Sequence, residues 1–450
     1  LAGAVRHSGL CKHGRKSSFA ACQRHDATLC LIRWLILAGA GHRHGHGSGS
    51  DPQTSRFGVS WMTSINQTGP VILAAGGTGG HLFPAEALAG ELMARGRDVM
   101  LVTDTRGDTH TASVDSPLAR IERFVVRAGT VSGQSAFGKI KGLIELVAGF
   151  WQARALLARL QPSVVVGFGG YPSLPTMLAA TRRGTPAILH EQNAVLGRVN
   201  RVLAPRVNAI AVAFTDTAKL EPGDFAKVKV VGNPVRAAVR AVRGKPYPVP
   251  EVGGAFNILV LGGSQGATVL SDVVPVALSQ LPDELKHRLH ITQQCRPEDL
   301  DRVRQIYAEA GLQTDLATFF DDVPARLAET HLIVSRAGAS TVSEAAVAGR
   351  PALLVPYPHA TDDHQTGNAK AFVEPGAGWM APQQSFTKQF VADTITDLMA
   401  HPEKLTDAAA SALNVGRADS APRLADLVES LIREGNGANG GSSSPQEEAA

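Results

Sequence analysis

From residue 69 onward, short apolar runs alternate with stretches of helical period. Residues 71–75 (VILAA) are an unbroken apolar run, stopped by five small residues, Gly76-Gly77-Thr78-Gly79-Gly80. A helix is predicted next, with Leu88 and Leu92 one turn apart and Gly96 placed to end it. Strand-like runs recur at 99–103, 164–166, 187–190 and 209–213. Residues 243–256 (RGKPYPVPEVGGAF) are rich in Pro and Gly and read as a linker. The pattern then restarts with a run at 258–261, the break Gly262-Gly263-Ser264-Gln265-Gly266, a helix, and runs at 289–292, 332–335 and 352–355.

Apolar strands alternating with helices predict parallel sheets covered on both faces. Each half opens with strand, glycine turn and helix, so the predicted class is α/β, with two Rossmann-like domains facing a cleft. By sequence they span 62–242 and 243–434. The stripe of Leu424, Leu427, Val428 and Leu431 predicts a late amphipathic helix that packs on a core. In open α/β sheets ligands bind at the carboxyl ends of the strands, and each motif below falls at such an end.

Composition changes this picture at the ends of the chain. The 450 residues are 44% hydrophobic and 19% charged, as in an ordinary globular protein. Apolar runs fall short of the ~20 residues that a spanning helix needs; the nearest, 29–40, is interrupted by Arg33. The net charge of +4 is unevenly spread. The first 60 residues hold eight Lys and Arg against two acids, so that segment is +6 and the remainder is −2. The main body thus carries no basic signature for nucleic acid. Cys11, Cys22 and Cys30 lie in the same leading segment and Cys295 stands alone in the body, which fits a reducing compartment and no disulfide framework. Residues 1–61 are rich in Arg, Ser, Gly and His, a loose match to a transit peptide. His42, His44 and His46 lack a scaffold that would fix them on a metal. Met62 stands just before the first strand, and the reading favoured here is a disordered extension lying upstream of the true start. Residues 435–450 read as a disordered, Gly/Ser-rich tail.

A glycine turn leading into a helix presents backbone N–H groups to an anion. The first turn is a poor dinucleotide fingerprint, since Leu82 stands where Gly or Ala belongs. Two such turns, one per half, point to a diphosphate in the cleft. His81 begins the first helix, either as a capping residue or as a base, because imidazole titrates near neutrality. His190-Glu191-Gln192-Asn193 ends a strand. Glu191 could orient a neighbour or take a proton, and Asn193 could bond a sugar. The run Gly338 to Glu344 predicts another anion-facing helix start. Glu344 there either steadies the helix or bonds a ribose diol. Gln365 and Asn368 share a helix face.

Taken together, Ala75-Gly-Gly-Thr-Gly-Gly-His81, Gly167-Phe-Gly-Gly-Tyr-Pro-Ser173, His190-Glu-Gln-Asn193, Gly232-Asn-Pro-Val-Arg236, Gly262-Gly-Ser-Gln-Gly266 and the spacing from Glu344 through Gly349, Pro351, Pro356 and Gln365 to Asn368 occur in one order. The set resembles the MurG family of peptidoglycan N-acetylglucosaminyltransferases, in glycosyltransferase family 28, over nearly all of 69–434. The resemblance implies a GT-B fold. It implies inverting transfer of GlcNAc from UDP-GlcNAc to the C4 hydroxyl of undecaprenyl-diphospho-MurNAc-pentapeptide (lipid I), giving β(1→4)-linked lipid II. The implied place is the cytoplasmic face of the bacterial inner membrane, on an anionic surface, among cell-wall synthesis and division proteins.

Carried over residue by residue, the resemblance sets Thr78, Gly79 and Gly80 near the donor phosphate and sugar, and Asn193 on the sugar. It sets Arg236 and Ser264 on the diphosphate side and Phe320 beside the uracil. Ala339, Ser340, Thr341, Val342, Ser343 and Glu344 would line the nucleotide, with Glu344 on the ribose and Gln365 near the donor sugar. His81 is the favoured base and Glu191 its competitor. No Asp-x-Asp pair marks the turns, so no metal or cofactor is expected. Along residues 139–157, Ile140, Leu143, Ile144, Val147, Phe150 and Trp151 make an apolar stripe interleaved with Lys139, Lys141 and Arg154. Core packing accounts for much of such a stripe, and a membrane patch fits Trp151 and the basic residues. The rivals are a related glycolipid glycosyltransferase, a UDP-GlcNAc 2-epimerase, a non-catalytic sugar-nucleotide-binding protein and, disfavoured by Leu82, a nicotinamide enzyme.

Overall fold

Two parallel sheets, one per half, carry the molecule. The structure is a computed structural model that describes residues 69–77, 79–110, 116–129, 136–263 and 266–439. The readings made on residues 1–61, on Thr78, on Ser264 and on 440–450 lie outside the described residues.

The first sheet has the order β3-β2-β1-β4-β5-β6-β7. Its strands are β1 (Val71–Ala74), β2 (Val99–Thr103), β3 (Glu122–Val125), β4 (Val164–Gly167), β5 (Ala187–Glu191), β6 (Ala209–Val212) and β7 (Val228–Val230). The second has the order β10-β9-β8-β11-β12-β13. It comprises β8 (Phe256–Leu261), β9 (Leu289–Gln294), β10 (Gln313–Ala317), β11 (Leu332–Ser335), β12 (Ala352–Leu354) and β13 (Gly378–Met380). Every pairing within both sheets is parallel, for instance Leu73 with Leu101 and Val166, so each sheet is doubly wound. The cores lie on both faces. Ile72 and Ala74 point into one cluster, Val71 and Leu73 into another, as the two-residue period of a strand requires.

The helices include α1 (Gly79–Ala94), α2 (Ala136–Leu160), α3 (Gly170–Arg183), α4 (Ala237–Val242), α5 (Ala339–Ala348), α6 (His364–Val373) and α7 (Ser420–Asn439). The chain leaves the first half earlier than the Pro/Gly composition indicates. Val235, Val239 and Val242 already belong to the core of the second half, so the outbound crossing is at 232–234. The stretch read as a linker is tied to the second half, where the Tyr247 hydroxyl donates to the His331 carbonyl at 2.8 Å. The chain also comes back. Leu424, Ala425, Val428, Leu431 and Ile432 of α7 are buried against α1 and β4, so this helix completes the first half rather than the second. It continues to Asn439, past the start assigned to the tail.

The two crossings touch. Gly232 has φ +88°, and a Cβ there would sit 2.2 Å from Ser420 Oγ and 3.0 Å from the Arg417 side chain. Any other residue would force the crossings apart.

Candidate active site

A cleft with a cavity volume of about 230 Å³ opens between the halves, at the carboxyl ends of β4, β5 and β12. His81, Tyr171, Glu191, Asn200, Arg198 and Asp362 are among its walls.

The orientation of His81 follows from a chain of hydrogen bonds that ends at the outbound crossing. His190 is fully buried, and its Nε2 lies 3.1 Å from the Gly232 carbonyl. A carbonyl only accepts, so Nε2 carries the proton and Nδ1 is bare. Gln192 Nε2 donates to that Nδ1 at 3.1 Å and to the Phe168 carbonyl at 2.9 Å. Two acceptors fix the amide, which turns Gln192 Oε1 toward His81 Nδ1 at 3.3 Å. His81 therefore bears its proton on Nδ1 and a lone pair on Nε2. Gly170, at φ +72°, makes room for that nitrogen; a Cβ there would lie 3.2 Å from it.

Burial pushes the His190 pKa down to about 4, with the nearby His81 adding to the shift and the Gly232 carbonyl opposing it. An unfolded histidine takes its proton near pH 6.5. Between those values the unfolded chain binds the proton that the fold refuses. Stability should therefore be full above pH 6.5 and fall by about 3 kcal/mol as the pH drops to 4. Denaturant titrations across that range, compared with His190→Gln, check the sign and size.

Glu191 is 2% exposed and its acceptor sites are filled. Oε1 accepts from Asn193 N and Nδ2, both at 3.0 Å. Oε2 accepts from Gly197 N and Asn200 Nδ2, both at 2.8 Å. The carboxylate thus organises its loop, with no lone pair spare for a substrate proton. Asn193 is held between the halves, since its Oδ1 accepts from Asn368 Nδ2 at 3.1 Å. Asn368 Oδ1 in turn accepts from Ala194 N at 2.8 Å.

The glycine turn before α1 is anchored by Asp104, which sequence reasoning missed. Its Oδ1 accepts from Gly77 N at 2.9 Å and Gly107 N at 3.0 Å. Gly79 and Gly80 open α1 itself. Asp104 carries no local motif, and only the fold brings it to a turn 27 residues away.

Arg236 and Glu344, assigned to different parts of a donor, meet each other. Arg236 Nη2 is 3.1 Å from Glu344 Oε1, and its guanidinium lies 4.4 Å over the Phe83 ring. Burial raises the Glu344 carboxyl above its ordinary value while Arg236 pulls it down. Glu86, on α1, is likewise raised by burial and opposed by Arg236. One guanidinium thus acts on two carboxyls, the buried Glu344 and the half-buried Glu86. Around it, α5 presents its N-terminus with Ser340 Oγ buried and without a partner among the described residues, an acceptor and donor left for a ligand. Ala339 and Val342 pack inward, whereas Thr341 and Ser343 are half-buried, and Ser343 Oγ accepts from Asn233 Nδ2 at 3.1 Å. Gln365 Oε1 accepts from Tyr357 N at 2.9 Å, pinning the loop after β12. Phe320 is buried under Arg326, 4.1 Å from ring centre to guanidinium.

Comparison with known proteins matches both halves of the chain. The glycosyltransferase family 28 N-terminal domain matches residues 71–212 and the family 28 C-terminal domain matches 257–426. A Rhodospirillum centenum protein named UDP-N-acetylglucosamine–N-acetylmuramyl-(pentapeptide) pyrophosphoryl-undecaprenol N-acetylglucosamine transferase is 51% identical over 368 residues, 82% of this chain and 96% of that one. The crystal structure of Acinetobacter baumannii MurG superposes with a TM-score of 0.64 at 30% identity, covering 80% of this chain and 99% of the other. A Listeria monocytogenes structure titled as a UDP-N-acetylglucosamine 2-epimerase shares the fold alone, at 14% identity and a TM-score of 0.60 over 85% of this chain and all of that one.

Proposed function

The chain belongs to glycosyltransferase family 28 and is a UDP-GlcNAc-dependent enzyme that moves N-acetylglucosamine onto lipid I to form lipid II, and from that premise we propose how its residues divide the work. His81 Nε2 takes the proton from the acceptor C4 hydroxyl as that oxygen attacks the anomeric carbon. The C–O bond to UDP breaks from the opposite side, which inverts the centre. The observation that carries this is the hydrogen-bond chain from Gly232 through His190 and Gln192, which leaves the lone pair of His81 on Nε2 at the wall of the cleft.

Arg236 and the N-terminus of α5 meet the charge that develops on the departing diphosphate. Glu344 bonds the ribose hydroxyls from its place beside Arg236, which pulls down the carboxyl that burial raises. Asn193 and Gln365 reach the donor sugar, Phe320 the uracil, and Gly79 and Gly80 leave room for the phosphates. Thr78 and Ser264 share those roles by resemblance. The test is UDP release from UDP-GlcNAc with and without a soluble lipid I analogue. UDP with a disaccharide product, formed only with the analogue, is expected; UDP without the analogue would mean hydrolysis or epimerisation instead.

The membrane reading rests on how α2 divides its apolar residues. Leu146, Ala153 and Leu157 are buried, and Phe150 packs partly against the same core. Ile140, Ile144, Val147 and Trp151 are exposed, Ile144 and Trp151 by more than 60%. Leu143 lies between the two faces. Among the described residues no helix is long and apolar enough to cross a membrane. The exposed stripe, with Lys141 and Arg154 beside it, supports peripheral binding at the inner face of an anionic membrane. Trp151→Glu should weaken cosedimentation with anionic vesicles several-fold and leave turnover of a soluble acceptor analogue near wild type.

A further inference from the structure

At the mouth of the cleft one carboxylate of the second half sits among three cations of the first. Asp362, from the loop after β12, accepts from Arg201 and, at 3.1 Å, from Lys219, while Arg198 Nε lies 4.0 Å away. Burial pushes its carboxyl up, but Lys219, Arg201 and Arg198 together hold it below the ordinary value. Asp362 and its neighbour Asp363 both adopt φ near +55°, a conformation that non-glycine residues seldom take.

Arg201 and Lys219, both bonded directly to Asp362, already exceed what one carboxylate neutralises. A plain clasp between domains would need a single partner, and exposed pairs are worth little. The cations are also tied to the catalytic loop. Arg198 and Arg201 lie on the short helix that follows Gly197, whose N–H is bonded to Glu191. Arg198 and Asp362 line the same cleft as His81.

We propose that Arg198, Arg201 and Lys219 form an anion subsite for the acceptor, and that the Asp362 carboxylate occupies the place its anionic oxygens take. This rests on the reading of the protein as a transferase to a diphosphate-linked sugar–peptide. The anion is either the acceptor diphosphate or a carboxylate of its peptide, both of which offer oxygens to a pair of guanidinium groups and an ammonium. Binding exchanges one carboxylate for an anion of equal or greater charge, so the cations stay paired while the loop carrying Asp362 is released.

Steady-state kinetics on the full chain separate this from a clasp by the sign of the effects. Arg201→Gln and Lys219→Gln should each raise the acceptor KM about 10-fold or more, with the donor KM little moved. Asp362→Asn removes the competing carboxylate and should lower the acceptor KM several-fold. If Asp362→Asn and Arg201→Gln instead lose activity alike, or if the donor KM moves, the subsite is rejected. Arg201→Lys, which keeps the charge, should recover most of the acceptor affinity and controls for misfolding. Acceptor analogues identify the source. The effect of Arg201→Gln should vanish either with amidated peptide carboxylates or with a monophosphate in place of the diphosphate, and persistence with both would overturn the proposal. Absence of disaccharide from the wild type would reject the transferase reading itself.

Discussion

His81→Ala should lower kcat by about 10²–10⁴-fold, the range for loss of a positioned general base, while leaving the melting temperature close to wild type. His81 is partly exposed at the cleft and, among the described residues, its side chain bonds Gln192 alone. Little of the fold depends on it. Glu191→Ala should behave in the opposite way. It strands four donors, on Asn193, Gly197 and Asn200, and buried donors without partners cost about 1–3 kcal/mol each. A loss of several kcal/mol in chemical denaturation is expected, with activity falling because the loop moves. The contrast decides between the two candidate bases. A Glu191→Gln variant that folds normally yet loses kcat as far as His81→Ala would transfer the proton-accepting role to Glu191.

The second large effect concerns stability. A chain ending at residue 419 should fail to fold its first half. Removing α7 takes away Leu424, Val428, Leu431 and Ile432, all buried in the core that α7 shares with α1 and β4. At about 1.5–3 kcal/mol for each buried side chain, the loss is about 6–12 kcal/mol, comparable to the total stability of a typical protein. The ion pairs of Arg95 with Asp426 and Glu429 go with it. A chain ending at 434 keeps this contact and should melt within a few degrees of the full protein. Circular dichroism melts of the two truncations make the comparison.

The interior of both sheets was legible in the sequence, and the four strands missed are the four at the edges. Strands β1, β4, β5 and β6, like β8 and β11, are buried on both faces and so read as continuous apolar runs. Edge strands β3 (ERFV), β10 (QTDLA), β7 (VKV) and β13 (GWM) are partly exposed and too polar or short to show a pattern. The domain boundary was misplaced for a related reason. Pro and Gly density marks irregular backbone, and the irregular segment 243–256 packs on the second half, whereas the crossing itself is made by a few residues around Gly232.

In the site, the glycine turns and the segment 190–193 carry local signals. The pairing of Arg236 with Glu344 spans 108 residues and the Gln192–His81 contact 111. No local pattern encodes such distances. For the same reason Asp104, Glu86 and Asp362 went unnoticed as singletons, and Gln192 appeared only as part of a polar loop.

The return of α7 to the first half also sets an order of events during synthesis. The first half leaves the ribosome with its β strands complete by residue 230, yet the helix that closes one face begins at 420. About 190 residues must be added in between, roughly 10–40 s at the usual rate of elongation. Through that interval Leu88 and Leu92 of α1 lack their cover. The nascent chain therefore exposes an apolar groove until α7 arrives to fill it, and the two halves finish folding together rather than in turn.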